Sequence, residues 1–194
     1  PLRILLFPAG RHDLQIFERR YIDMVTESLK SGTPFGICSI ESGTGERAAG
    51  TQHSVNRIGT LARIIDWNQL ENGLLGITIE GTTKFRVEDC WEADSDLLMA
   101  KVVLSERDTI DSEPVAYGDD FGELVEVLRG LEEHPLVAEK NFAIEYDNLW
   151  HLGWHLSELI PMSENSRQAL LELDDPWARA ESLVQLLKDL SGED

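Results

Sequence analysis

The chain has little that could run a reaction or hold a cross-linked scaffold. Of its 194 residues only Cys38 and Cys90 are cysteine, and they show no motif spacing. That usage fits a reduced compartment better than a disulfide framework. No run approaches the roughly 18–20 consecutive apolar residues that a membrane span needs. The opening Pro1-Leu2-Arg3-Ile4 lacks the apolar core of a secretory signal. A soluble, cytoplasmic protein with no membrane partner is therefore expected. Positive charge is scarce: 17 Lys and Arg stand against 36 Asp and Glu, for a net charge of −19. The shortage is uneven. Residues 1–105 carry 14 acidic and 11 basic side chains, whereas residues 106–194 carry 22 and 6. Nucleic-acid affinity rests on Lys and Arg displacing counterions, so no nucleic-acid partner is expected. The acidity favours solubility, and it gives the second half a preference for basic partners.

Catalytic motifs are also missing. There is no Gly-x-x-x-x-Gly-Lys-[Ser/Thr] loop for nucleotide phosphates. No Ser/His/Asp or Cys/His arrangement stands out, and acids are so abundant that any two could be named a pair. The glycine-rich stretch Ser42–Gly50 lies between two expected strands, not at a helix start, so it reads as a hairpin loop and not a phosphate cradle. His151 and His155 are four residues apart, with Glu158 next on that face, a spacing that could set two imidazoles around a metal. The zinc-protease motif would need Glu where Leu152 stands, and no third ligand is near. Asp147, His151, His155 and Glu158 read instead as the wet face opposite Leu149, Leu152, Leu156 and Leu159. The expectation is no catalytic residue, no metal, no cofactor and no enzyme activity.

What is present is a core and two periodicities. Hydrophobic residues make up 42% of the chain, enough to exclude disorder. The first half reads as strands over Ile4–Phe7, Phe35–Ile40, Ile58–Trp67, Leu74–Glu80, Phe85–Trp91 and Met99–Leu104. Ser31-Gly32, Asn72-Gly73 and Gly81 serve as turns. One helix interrupts them, with Phe17, Tyr21, Met24, Val25 and Leu29 on a single face. Cys38 and Cys90 fall within strands, where buried inert thiols are the default. The second half reads as helices. One is capped by Asp119 or Asp120 and runs through Gly130, with Phe121, Leu124, Val125 and Leu128 inward. Others span about Asp147–Ile160, Ser163–Leu173, and from Asp175-Pro176 onward, with Ala180, Leu183, Leu186 and Leu187 inward. Strands first and helices after predict an α+β protein. The expected division is residues 1–106, β-rich; 107–118, a polar linker; and 119–194, helical.

Several motifs carry a family resemblance. They are Leu6-Phe7-Pro8, Phe17-Glu18-Arg19-Arg20-Tyr21 with Met24, Phe35-Gly36-Ile37, Gly59-Thr60-Leu61-Ala62-Arg63-Ile64, and Gly76–Gly81 followed by Lys84-Phe85-Arg86-Val87. In the second half Leu156–Pro161 and Gln168–Glu172 precede Asp175-Pro176. In this order they resemble the amino-terminal, substrate-binding domain of Lon proteases, as a free-standing form or as a fragment. The closing helix and polar Ser191–Asp194 read as a natural terminus. The resemblance implies a PUA-like β pseudobarrel with one inserted helix, followed by a helical bundle. It also implies a non-catalytic role in binding unfolded or tagged polypeptides, with a protease or chaperone as a further partner. An RNA-binding PUA-like module is the alternative, and a small metal-dependent enzyme is a more distant one.

Four residues are expected to touch substrate: Arg19, Arg20, Trp67 and Leu70. Glu18, Arg19, Arg20 and Tyr21 form a charged cluster around one aromatic. It reads either as a polar anchor for peptide or as a helix start, with Tyr21 in the core and Glu18 at the positive end of the dipole. Trp67 lies near a strand end just before Asn68–Gly73, with Leu70 beside it. The pair could stay exposed and grip apolar segments, or Trp67 could fold back over the barrel mouth. Trp150 and Trp154 read as core packing.

Overall fold

The computed structural model describes residues 4–39 and 55–192; the glycine-rich Ser42–Gly50 and His53 lie outside the described residues. The chain divides into two compact units, Pro1–Ser105 and Glu106–Asp194.

The first unit is built on a sheet. Its elements are β1 (Arg11–Ile16), α1 (Arg19–Ser31), β2 (Phe35–Ile37), β3 (Ile58–Gln69), β4 (Leu75–Glu92) and β5 (Leu98–Thr109), the last running past the unit boundary. The strand order is β1-β4-β3-β2, with β5 also on β4. The pairings β1·β4, β3·β4 and β2·β3 are antiparallel. The expected closure into a pseudobarrel is not in this path. β1 and β2 lie at its opposite ends, and among the described residues no pairing joins them. The 18 residues of β4 serve three neighbours, so the sheet branches there instead of running as one closed path.

Ile4–Phe7, expected as the first strand, joins no ladder. Leu6 and Phe7 are instead buried against the sheet, and the strand forms further on. Over Arg11–Ile16 the burial alternates, with Leu14 and Ile16 inside and Asp13 and Gln15 outside. Gly81 is not a turn either, since the two strands expected around it are one continuous β4. In α1, Val25 is buried and Tyr21, Ile22 and Met24 pack partly against Leu6, Leu14, Ile16, Ala62, Ile77 and Ile79. Phe17 keeps the spacing but is exposed because it precedes the start of the helix; Leu29, in the last turn, is exposed too. Gly32 ends α1 with φ +69°, a left-handed value that glycine adopts without strain. Cys38 and Cys90 are half-buried, and burial, with Cys90 as a lesser cause, pushes the Cys38 thiol up to about 12.

The second unit holds α2 (Gly122–Glu132), α3 (Pro135–Ala138), α4 (Leu149–Leu159), α5 (Glu164–Glu172) and α6 (Pro176–Ser191). Three starts follow from their caps. Asn148 accepts from the Trp150 N–H, Ser163 from the Ser166 N–H, and Asp175 from the Ala178 N–H. Asp119 and Asp120 do not cap α2; Phe121 holds that position with no side-chain bond. The short α3 was not expected.

The expected wet face of α4 is corrected. His155 is 1% exposed, with its ring 4.9 Å from that of Phe142, and Ser157 is fully buried, its hydroxyl donating to the Gly153 carbonyl. α4 packs against α2, α5 and α6, so burial runs nearly all the way round it. His151 is half-buried and accepts the Glu145 N–H at Nδ1, 3.2 Å away. Burial lowers its proton affinity below the ordinary 6.5, while Glu145, a backbone bond with Ala143, and Asp147 oppose that shift. The folded state thus binds this proton more weakly than the unfolded chain does. The stability that His151 contributes is present above pH 6.5 and is lost as pH falls below it. We expect urea midpoints to drop between pH 7 and pH 5 by more in the wild type than in His151→Gln; equal drops would remove His151 as the cause.

Candidate functional site

The β1, β4 and β3 strands lie side by side, and their register sets residues in rows. On one face the rows are Arg11–Glu80–Arg63, Asp13–Thr78–Asp66 and Gln15–Gly76–Asn68. Leu14–Ile77–Trp67 alternates to the other face, where Leu14 and Ile77 belong to the core. A β-bulge decides this. Ile64 pairs with Ile79, but Asp66 pairs with Thr78, so Ile65 is the extra residue. A regular ladder would set Asp66 opposite Ile77 and Trp67 opposite Gly76. The bulge instead carries the indole to the end of the core row. There Trp67 is 61% exposed, so it does not fold back over the sheet.

The polar face holds a depression. Gly76 sits mid-row, and a Cβ there would collide with Asn68 Oδ1 and lie 2.9 Å from Leu70 Cδ2, so both side chains lean over it. The result is a shallow groove of about 200 Å³, lined by Asp13, Gln15, Asp66, Asn68, Leu70 and Thr78, with Leu14, Trp67, Gly76 and Ile77. The Thr78 hydroxyl donates to Asp13 Oδ1 over 2.6 Å, and the Trp67 N–H donates to Asp66 Oδ1 over 2.8 Å. Beside the groove, the buried Glu80 takes two guanidinium forks. Arg11 gives Nε and Nη2 to Oε1 (2.9 and 2.7 Å), and Arg63 gives Nε (2.9 Å) and Nη2 to Oε2. Among the described residues no Lys or Arg lines the groove itself.

Of the four expected contact residues, the structure brings Trp67 and Leu70 to this groove and leaves Arg19 and Arg20 away from it. Arg19 is exposed and pairs with Asp23 one turn on, at 3.1 Å. Arg20 is a clip: it bonds Glu18 (2.9 Å) and the Asp96 carbonyl (2.7 Å), and it lies over the Tyr21 ring. That ties the helix start to the β4–β5 turn. Sequence reasoning missed Asp13, Gln15, Asp66, Asn68, Gly76 and Thr78. Alternation of Leu14 and Ile16 with polar neighbours was the available signal for β1. Among the described residues, no three His, Cys, Asp or Glu side chains gather to hold a metal ion, and no helix is long and apolar enough to cross a membrane.

Comparison with known proteins gives one consistent picture. The sequence model of the family described as "ATP-dependent protease La (LON) substrate-binding domain" matches residues 1–189. A Lon protease of Cytophaga hutchinsonii is 28% identical over 197 residues, which cover 98% of this chain. The chain spans only 24% of that relative's length. The crystal structure of a Lon N-terminal domain protein from Xanthomonas campestris aligns with a TM-score of 0.74 at 32% identity, over 95% of this chain and 94% of that one. The N-terminal domain of the Mycobacterium avium complex Lon protease aligns with a TM-score of 0.62 over 93% of this chain and 91% of that one; at 15% identity it speaks for the fold alone.

Proposed function

The chain belongs to the Lon substrate-binding-domain family, and on that premise we propose that it is a non-catalytic module that holds unfolded or tagged polypeptides at the Trp67 end of its sheet, for a protease or chaperone partner. The observation that carries this reading is the exposed indole at the end of the Leu14–Ile77 core row. A folded monomer gains nothing from leaving that much aromatic surface wet. An unfolded chain, by contrast, offers apolar side chains with no better place to go. Covering the exposed part of one indole removes on the order of 150 Å² from water, about 3–4 kcal/mol before ordering costs. Trp67 stands on a strand paired to β4 through its neighbours, so the backbone that carries the indole is already ordered by the sheet.

The test is Trp67→Ala, with binding of a fluorescein-labelled, reduced and unfolded polypeptide read by anisotropy. Truncating a central aromatic anchor is expected to weaken binding by roughly 10- to 30-fold. The urea midpoint should barely move, because an exposed substitution changes stability by about 0.5 kcal/mol or less. Unchanged affinity would overturn Trp67 as the grip, and no binding by the wild type would overturn the module reading.

A further inference from the structure

We propose that the open edge of β3 at Trp67–Gln69 takes an extended polypeptide segment as an added antiparallel strand, with an apolar residue of that segment beside the indole. This rests on the polypeptide-binding reading above and names the conformation that the site selects. β3 pairs with β4 from Ile58 to Gln69, but β2 pairs with it only over Thr60–Ala62. Beyond Ala62, no strand among the described residues meets its far edge. Ile65, Asp66, Trp67, Asn68 and Gln69 are all exposed, so this end of the strand stands in water.

The backbone here is turned outward and already holds a substitute for a strand. Along an antiparallel pair, hydrogen-bonding residues alternate between facing the partner and facing away. The Leu70 N–H bonds the Leu74 carbonyl across the hairpin at 2.9 Å. In step with it, Asn68 faces β4, whereas Gln69 and Trp67 face away. The Trp67 N–H agrees: it donates to Asp66 Oδ1 over 2.8 Å, a carboxylate oxygen standing in for the carbonyl of a neighbouring strand. Asp66 is exposed, so its carboxylate returns to water at little cost and hands over the N–H. The edge then offers the N–H and C=O of both Trp67 and Gln69 to an added strand. The residue opposite Trp67 sets its side chain on the indole's own face, about 5.5 Å away at the backbone. Backbone pairing thereby aims an apolar side chain at the exposed aromatic. A second copy is the poorer occupant, because each chain carries a net charge of −19 and repels another, whereas a neutral or basic segment meets no such barrier.

Three labelled peptides test this, with binding read by anisotropy. All share one neutral, unstructured sequence with a single Leu anchor. The first is unmodified. The second is N-methylated at the Leu and at the residues two away on either side, and the third at the residues next to the Leu. N-methylation deletes a backbone donor and adds bulk without touching a side chain. In the added strand the Leu N–H bonds the Trp67 carbonyl, so the second peptide is expected to bind at least about tenfold more weakly than the first, and the third about equally to it. Asp66→Ala, an exposed substitution, frees the Trp67 N–H and should tighten the unmodified peptide roughly three- to tenfold. Equal affinity for the two methylated peptides would overturn strand addition and leave Trp67 standing as a side-chain grip. Absence of binding by the unmodified peptide would overturn both readings. Unchanged affinity in Asp66→Ala would overturn this edge as the place. A wild-type dimer in sedimentation that excess peptide does not dissociate would give the edge to a second copy and overturn the proposal.

Discussion

Arg179→Met is expected to cost about 3–5 kcal/mol, the range for breaking a buried ion pair and leaving one charge behind. The side chain is fully buried, as is Asp108. Nη2 donates to Asp108 Oδ2 at 2.6 Å, while Asp108 Oδ1 accepts the Trp154 indole N–H at 2.8 Å. Arg179 also donates Nε to the Leu170 carbonyl (3.0 Å) and Nη2 to that of Leu173 (2.6 Å). These carbonyls close the end of α5, which has no capping glycine, so one guanidinium does the work of a C-cap. Gly153 makes the approach possible, since a Cβ there would press on Arg179 Cδ at 3.1 Å. Methionine keeps the stem and removes every donor. Asp108→Ala should cost a similar amount, because it strands the guanidinium. The double variant should cost less than the two singles together, but still more than zero, because the Leu170 and Leu173 carbonyls lose the Arg179 donors. Urea unfolding followed through Trp150 and Trp154 fluorescence checks this. A loss under about 1 kcal/mol for either single would mean that water replaces the partner, contrary to the burial.

Local chemistry was legible in the sequence, and long-range pairing was not. Ser163 and Asp175-Pro176 announced the starts of α5 and α6 because a cap and its N–H lie three residues apart. Arg179 looks like an ordinary helix-surface arginine, and its role depends on Asp108, 71 residues away. His155 was read as wet because α4 carries a clear leucine stripe; the sequence does not say that three other helices close over the remaining sides. The same limit applies to the candidate site. An aromatic and a leucine beside Asn72-Gly73 marked Trp67 and Leu70 as surface candidates. Asp13 and Thr78 meet only through the β1·β4 register, across 65 residues, and the bulge at Ile65 that turns Trp67 to the core row has no local signature. Arg19 and Arg20 drew notice as charges at a helix start, yet their partners are Asp23, Glu18 and the Asp96 carbonyl.

Gly81→Ala is expected to cost about 3 kcal/mol, more than its one added carbon suggests. Gly81 is where the Leu6–Gly10 segment crosses β4. The Ala9 N–H bonds the Gly81 carbonyl and the Gly81 N–H bonds the Gly10 carbonyl, both at 2.9 Å. A Cβ would overlap the Phe7 carbonyl oxygen and sit 2.9 Å from its carbon, with Leu6 Cγ at 3.1 Å. The obstacle is backbone, so no rotamer change relieves it. The segment must lift, which loosens two hydrogen bonds and the fully buried Leu6 and Phe7 together. Gly122→Ala, at the first position of α2 with nothing within 4 Å, serves as the comparison. It should be neutral or stabilising by up to about 1 kcal/mol, since alanine narrows the unfolded ensemble and fits the helix. Urea midpoints of the two variants should therefore move in opposite directions or differ by most of the Gly81 cost. Equal, small shifts would mean that the crossing yields cheaply. In that case the Leu6-Phe7-Pro8-Ala9-Gly10 segment would be a loose flap and not a fixed part of the sheet that presents Trp67.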